Sequence, residues 1–329
     1  MNNTQIKYKS TMTRLGGILL IFVGLFTVLF AIYFELPTHL LPEPAAIIVD
    51  SIIYDVTYLA VFMVPVAFMP LFFKRGERQP MRLEVKLPKN TFALILISIG
   101  LTYAFSYINS MMVTEIFGES VSEDLFTYPV TYMSDTDLIL QFITTALVPA
   151  FCEEFLFRGT ILSTLMPYGK STAVVVSAVC FGLMHGNLYQ FLYTTVAGLI
   201  LGAVYVVTDS IWPSTIIHML NNALSIAQIA VYERLNEDLA YVVWLIVETA
   251  IMVAGVVAFI FLIRRARKSE GEKRSIFGKP LLDCGVESDG FTSSAKLEAK
   301  YAVKAFFAPT IVIFVVYQIF YSLIIMGAS

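Results

Sequence analysis

Residues 153–158 read Glu-Glu-Phe-Leu-Phe-Arg and place two carboxylates and a guanidinium inside an apolar run that extends from about 137 to 166. An ionised side chain at membrane depth costs at least about 2.5 kcal/mol and usually marks a functional site. On a helix, Glu154 and Arg158 are i,i+4 neighbours and can neutralise each other. Glu153 lies about 100° further around the helix axis and is left without that partner. The stretch therefore predicts a membrane helix with one paired and one unpaired carboxylate.

The composition is that of a polytopic membrane protein. Of the 329 residues, 57% are hydrophobic and 14% are charged, and the mean hydropathy is +0.76. Soluble domains carry about 25% charged residues. The three cysteines, Cys152, Cys180 and Cys284, form neither a CxxC pair nor a disulfide framework. We predict an all-α integral membrane protein with about eight or nine transmembrane helices around a central polar cavity.

Nine apolar runs predict the membrane helices. They lie at about 15–34, 49–73, 91–113, 137–166, 171–185, 188–208, 211–231, 240–263 and 305–326. We divide the chain into N-terminal helices one to three (1–136), a helical core of helices four to seven (137–231) and a C-terminal part (232–329). The C-terminal part includes a polar segment, 264–304, that we expect to be a cytoplasmic loop. Gly198 and Gly202 form a GxxxG pattern, which predicts close packing of the sixth helix against another helix.

The distribution of basic residues favours one orientation in the membrane. When the N-terminus is cytoplasmic and nine helices alternate, all 22 Lys and Arg residues except Arg158 and Arg234 lie on the cytoplasmic side or at its border. Positive residues concentrate in cytoplasmic loops, so a cytoplasmic N-terminus is predicted, with the acidic segment 114–136 outside. The basic clusters attract anionic membrane lipids and imply no nucleic-acid partner. Short loops without an added soluble domain favour a bacterial plasma membrane.

Two further motifs follow the carboxylates along the chain. Phe181 and His185 are four residues apart in the fifth predicted helix, and His218 and Asn222 are four apart in the seventh. Side chains at this spacing share one helix face. The order EExxxR, FxxxH and HxxxN across separate membrane helices resembles the CAAX protease and bacteriocin-processing (CPBP) family, intramembrane endopeptidases similar to the type II CAAX prenyl endopeptidase. The resemblance covers about 137–231.

This resemblance implies an intramembrane endopeptidase that hydrolyses a peptide bond without a covalent intermediate. Its catalytic residues would be Glu153, Glu154, Arg158, His185, His218 and Asn222. Glu153 would be the general base for a water molecule, with help from His185, and Glu154 with Arg158 would fix its orientation. His218 and Asn222 would donate hydrogen bonds to the oxyanion. The substrate would be a membrane-associated peptide or protein tail, and a prenylated CAAX tail is one such substrate.

Other chemistries and functions stay open from the sequence. Two histidines and a carboxylate could hold zinc with a fourth position for water, but the chain has no HExxH motif and Asn222 is a poor zinc ligand, so no cofactor is expected. A nucleophile at Cys152 is disfavoured because the adjacent carboxylates oppose the thiolate. A buried Glu–Arg pair can also simply join helices. A non-catalytic scaffold or immunity protein of the same fold is therefore one alternative, and a proton-coupled or small-solute transporter is another.

One geometric conflict arises at the sequence level. Counting 1.5 Å per residue from the cytoplasmic end of each helix does not place Glu153, His185 and His218 at one depth. His218 is expected nearest that end and His185 furthest from it. A common active site therefore requires tilted or short helices. The sequence specifies neither the cleaved peptide nor the oligomeric state.

Overall fold

The computed structural model describes residues 3–42, 45–74, 76–117, 134–269 and 308–328. These residues form nine helices and no strand, which confirms the predicted all-α class. The helices are α1 (Asn3–Phe34), α2 (Ala45–Phe72), α3 (Thr91–Phe117), α4 (135–165), α5 (Lys170–Met184), α6 (Leu188–Thr208), α7 (Ile211–Arg234), α8 (Glu237–Ser269) and α9 (Pro309–Ala328), with short 3₁₀ turns at Thr38–Leu40 and Met166–Tyr168.

The helices are those of an integral membrane protein. Within the described ranges, six helices are long and apolar enough to cross a membrane: Ile6–Leu40, Ala45–Phe72, Thr91–Ile116, Asp135–Tyr168, Tyr189–Thr208 and Glu237–Arg265. Two apolar helices are shorter, Lys170–Met184 and Pro309–Ser322. The remaining helix, α7, carries the polar side chains of His218, Asn221 and Asn222. Each of the nine predicted apolar runs therefore corresponds to a helix, but only six of these helices meet the criterion for a full span.

Helix α4 is a continuous helix built from alternating α and π segments. The α segments are Asp135–Gln141, Val148–Glu154 and Ser163–Leu165, and the π segments are Phe142–Leu147 and Phe155–Leu162. The helix begins with a capping box in which Ser134 and Asp137 bond each other's backbone N–H groups. Pro149, which lacks a backbone N–H, lies just after the first π segment and cannot make the ordinary α-helical bond there. Glu153 and Glu154 end the middle α segment, at the start of the second π segment.

Glycines allow several pairs of helices to pack closely. A Cβ atom on Gly198 of α6 would lie 3.0 Å from the Cα of Ala178 in α5, and one on Gly202 would lie 3.2 Å from the side chain of Val174. Helices α3 and α8 also meet at glycines, since a Cβ on Gly100 would lie 3.2 Å from the Cα of Gly255. The GxxxG pattern therefore packs α6 closely against α5, as expected.

The segment between α2 and α3 is docked onto the turn between α6 and α7. The consecutive carbonyl groups of Arg82, Leu83 and Glu84 accept hydrogen bonds from this turn. Arg82 also forms an ion pair with Asp209, whose φ of 58° lies in the left-handed region. Part of the predicted basic loop is thus an ordered strap that fixes the beginning of α7, the helix that carries His218.

Two predicted features lie largely outside the described residues. These are the acidic segment 114–136, of which 118–133 is not described, and the polar loop 264–304 beyond Ser269, which includes Cys284. The division of the chain at 136 and 231 and the cytoplasmic position of the loop stay predictions.

Enlarging Gly198 should force α5 and α6 apart. We expect Gly198→Leu to lower the free energy of unfolding by about 2 kcal/mol, because added carbons in a packed core force backbone shifts. Stability can be measured by titrating purified protein in detergent with SDS. The matched control is Gly24→Leu on the exposed side of α1, where an added Cβ meets no atom within 4 Å. Equal stability of the two variants would contradict the close α5–α6 contact.

Candidate active site

The predicted ion pair between Glu154 and Arg158 is fully buried. Nη1 of Arg158 lies 2.7 Å from Oε1 of Glu154. Nη2 donates a hydrogen bond of 3.1 Å to the carbonyl oxygen of Gly198 in α6, and the guanidinium carbon lies 4.6 Å from the centre of the Phe181 ring in α5. One cation therefore connects α4 to both α5 and α6. Removing either partner would strand a buried charge, at a cost of about 3–5 kcal/mol.

His218 lies between the two carboxylates. Its Nδ1 is 3.2 Å from Oε1 of Glu154, and its Nε2 is 3.8 Å from Oε2 of Glu153. Because a carboxylate accepts hydrogen bonds, Nδ1 is the nitrogen that carries the proton in the neutral ring, and Nε2 is then an acceptor. Nε2 donates only in the imidazolium form. Glu154 thus orients the imidazole as well as neutralising Arg158.

Glu153 is bound by a neutral donor rather than by a cation. The hydroxyl group of Tyr58 in α2 donates a hydrogen bond of 2.5 Å to Oε1 of Glu153. Oε2 is buried, has no hydrogen-bond partner within the described part of the chain, and lies on the side of His218. As expected, the ion pair of Arg158 is with Glu154 and not with Glu153. The expectation that Glu153 is altogether unpaired is wrong, because α2 supplies a tyrosine that no pattern in α4 reveals.

His185 lies at the end of α5, where it caps the helix immediately after Met184. Its Nδ1 is 2.9 Å from the carbonyl oxygen of Phe181, so Nε2 is the acceptor of the neutral ring. The Phe181 ring packs edge-to-face against both imidazoles, with centroid distances of 5.0 Å to His185 and 5.7 Å to His218. The two histidines, which the sequence places at different depths, therefore contact the same phenylalanine ring.

Asn222 is held by the backbone of α4. Its Nδ2 donates a hydrogen bond of 3.1 Å to the carbonyl oxygen of Thr145. In a regular α-helix this carbonyl would accept the N–H of the residue four positions later, which is Pro149 and has none. The proline thus frees the acceptor that Asn222 uses. Because a side-chain amide has two N–H groups, one donor of Asn222 remains for another partner.

A cavity of about 60 Å³, lined by both polar and apolar side chains, lies among α3, α5, α6 and α7. It is lined by Thr102, Phe181, His185, Tyr193, Thr194, Ala197, Leu201, Ile217, His218, Asn221 and Asn222. A cavity needs about 10–15 Å³ to hold one water molecule, so this one is large enough for several. Of the predicted site residues, His185, His218 and Asn222 line the cavity. Glu153 does not line it and lies next to it across His218.

Within the described ranges, no three His, Cys, Asp or Glu side chains are grouped so that they could hold a metal ion. The two cysteines of this part of the chain, Cys152 and Cys180, are buried and form no disulfide. Zinc stays the alternative named from the sequence, since this arrangement does not test whether a metal takes part in the reaction.

The hydrogen bond from Tyr58 to Glu153 is a contact at this site that the sequence did not predict. Its ring stacks on Phe62 at 4.6 Å and on Tyr54 at 5.9 Å between centroids, within α2. The sequence signal is that Tyr54, Asp55, Thr57 and Tyr58 put polar groups into about one turn of a largely apolar helix. That signal does not say which helix they face.

Comparison with known families agrees with the motif-based resemblance. Residues 135–224 match the family described as Type II CAAX prenyl endopeptidase Rce1-like. The matched segment runs from the beginning of α4 into α7 and contains all six predicted site residues. No curated protein and no solved structure matches the chain. The predicted resemblance is confirmed: residues 135–224 of this integral membrane protein match the Rce1-like family of type II CAAX prenyl endopeptidases.

Proposed function

We propose that the protein is an intramembrane endopeptidase that hydrolyses a peptide bond in a membrane-associated peptide or protein, with water activated by Glu153 and the histidines. The observation that carries the proposal is the separation of 3.8 Å between Oε2 of Glu153 and Nε2 of His218. Two polar atoms at this separation can both bond one water oxygen at about 2.8 Å. We assign the role of base to Glu153 because its other oxygen, Oε1, accepts a hydrogen bond from the uncharged hydroxyl group of Tyr58.

In the proposed reaction, Glu153 takes a proton from the water as the water oxygen bonds to the scissile carbonyl carbon. The carbonyl π electrons move to oxygen and form a tetrahedral oxyanion. When the C–N bond breaks, the proton passes from Glu153 to the leaving nitrogen, so charge and atoms balance. A positioned general base contributes about 10²–10⁴ in rate. The acceptor Nε2 of neutral His185 supports this step by accepting a hydrogen bond from the water.

The oxyanion requires donors on the cavity side of the site. His218 supplies one from Nε2 when it is an imidazolium, because Nδ1–H is already bound by Glu154. Asn222 supplies another from the amide N–H that Thr145 does not use. Losing one such donor costs about 10²–10³ in rate. Glu154 and Arg158 touch no reacting atom in this scheme and act by orienting His218 and by holding α4 against α6.

We propose that the substrate is a peptide segment presented from the membrane, with a prenylated CAAX tail as the first substrate class to test. The Rce1-like match supports this choice. A scaffold or a transporter would retain the buried Glu154–Arg158 pair for helix packing, so that pair does not separate the functions. Glu153 separates the endopeptidase from the scaffold, which needs no base beside Nε2 of His218. A proton-coupled transporter could use the same carboxylate as a proton relay and differs by showing solute flux without peptide cleavage.

Replacing Glu153 by glutamine should abolish hydrolysis without unfolding the protein. The amide keeps the size of the side chain and can still accept the Tyr58 hydrogen bond, but it cannot take the proton from water. We expect the kcat for a quenched fluorescent farnesylated CAAX peptide, measured in proteoliposomes, to fall by at least about 10³-fold. The matched control is Glu248→Gln in α8, where the carboxylate accepts a bond from Trp244 within its own helix.

Each other outcome of this assay points elsewhere. Cleavage by Glu153→Gln at the wild-type rate would overturn the role of Glu153 as base. Equal cleavage of the same peptide without its farnesyl group would remove the lipid from the proposed substrate class. Proton-dependent solute uptake by the proteoliposomes, with neither peptide cleaved, would favour the transporter.

We also propose that the N-terminus is cytoplasmic, because this orientation gathers the basic residues on the inner side. The test introduces one cysteine at a time at two exposed positions, His39 between α1 and α2 and Lys89 before α3. The background is Cys284→Ser, which keeps the two buried cysteines, Cys152 and Cys180, and the background protein alone is the labelling control. A membrane-impermeant maleimide applied to intact spheroplasts should label His39→Cys and should label Lys89→Cys only after permeabilisation. The reverse pattern would invert the proposed orientation and leave the chemistry of the site unaffected.

A further inference from the structure

We infer that Tyr58, in α2, is the positioning residue for the base Glu153, so that the active site is incomplete without the N-terminal helices. This inference rests on the proposed function. Tyr58 lies outside the matched segment 135–224, and none of the three sequence motifs includes it. Its hydroxyl group makes the hydrogen bond of 2.5 Å to Oε1 of Glu153.

The bond fixes one carboxylate oxygen and thereby aims the other. A glutamate side chain that is held at neither oxygen can rotate about its terminal torsion, which has a broad, roughly two-fold profile. With Oε1 anchored by Tyr58, Oε2 is directed toward Nε2 of His218 at 3.8 Å. The hydroxyl group therefore selects the orientation in which one water can contact both groups.

The nature of the donor suits a base. Glu154, next in the chain, is bound by the cation of Arg158 and is thereby committed to an ion pair. A tyrosine hydroxyl donates to Glu153 without bringing a positive charge, so the carboxylate keeps its own charge and can accept a proton. Adjacent carboxylates with different partners are thus adapted to different tasks, Glu154 to structure and Glu153 to chemistry.

The ring of Tyr58 is held in place independently of this hydrogen bond. It is stacked between Tyr54 and Phe62 in α2, at an angle of 28° to the first ring and 20° to the second. Phe62 in turn packs edge-to-face against Phe22 of α1, with centroids 5.0 Å apart. Removing only the hydroxyl oxygen leaves these ring contacts intact. Replacing Tyr58 by phenylalanine therefore removes the hydrogen bond that positions Glu153 but keeps the ring contacts that stabilise the structure.

The test is Tyr58→Phe, with Tyr54→Phe as the matched control on the preceding turn of α2. With the farnesylated peptide in proteoliposomes, we expect Tyr58→Phe to lower kcat by about 10- to 100-fold, the effect of losing a hydrogen bond to a charged group, with KM unchanged. Tyr54→Phe should change neither constant by more than about two-fold, because it keeps the ring that stacks on Tyr58 and leaves the Tyr58–Glu153 hydrogen bond in place. Tyr54→Phe should unfold at the same SDS fraction as the wild-type protein. Tyr58→Phe should unfold at a lower SDS fraction but remain folded in proteoliposomes, because one hydrogen bond to a buried carboxylate is lost.

The outcomes separate this inference from the proposed function. Wild-type kcat in Tyr58→Phe, together with an inactive Glu153→Gln, would overturn the role of Tyr58 and leave Glu153 as base. Wild-type kcat in Glu153→Gln would overturn both. Equal losses of kcat and of stability in Tyr58→Phe and Tyr54→Phe would show that the tyrosines only pack α2 against α4, which also contradicts the inference. A double variant, Tyr58→Phe with Glu153→Gln, should be no slower than Glu153→Gln alone, because the hydroxyl group acts through Glu153.

Discussion

The buried ion pair between Glu154 and Arg158 is the constraint on which the rest of the site depends. At membrane depth no water can solvate either charge, so the guanidinium must find all of its partners within the protein. It finds the Glu154 carboxylate, the Gly198 carbonyl and the Phe181 ring, each on a different helix. Satisfying this one cation therefore brings α4, α5 and α6 together. Because Phe181 touches both imidazoles, the same contact also places the histidines.

The carboxylates at 153 and 154 diverge in role because consecutive residues on a helix face different directions. Glu154 points to the interior, where it shares Oε1 between Arg158 and His218. Glu153 points toward α2 and receives a tyrosine hydroxyl group. A carboxylate that is hydrogen-bonded to a cation, as Glu154 is to Arg158, is a poor base, whereas Glu153 makes its hydrogen bond with an uncharged hydroxyl group. The pair of adjacent glutamates gives both environments within one turn of helix.

The local features of this fold and site were predictable, and the contacts between distant segments were not. Apolar runs locate the nine helices, and the i,i+4 rule gives the Glu154–Arg158 pair, because both depend on neighbours in sequence. The depth count showed that a common site requires tilted or short helices but did not specify which; α5 spans only 15 residues, and α4 contains two π segments. The contact of Tyr58 with Glu153 could not be predicted for another reason. Its partner is 95 residues away, and a tyrosine in an apolar helix fits lipid, core or site equally well.

Asn222 shows how a polar site can exist in this setting without stranded backbone groups. A proline within a membrane helix leaves a carbonyl without its backbone donor, and a neighbouring helix, a polar side chain or an ordered water must replace that donor. At Pro149 the affected carbonyl belongs to Thr145, and Asn222 of α7 donates to it. Pro149 thus leaves free the acceptor that holds the Asn222 amide next to the cavity. Pro149 is therefore part of the site, because a residue with a backbone N–H at this position of a regular α-helix would donate to the Thr145 carbonyl and compete with Asn222.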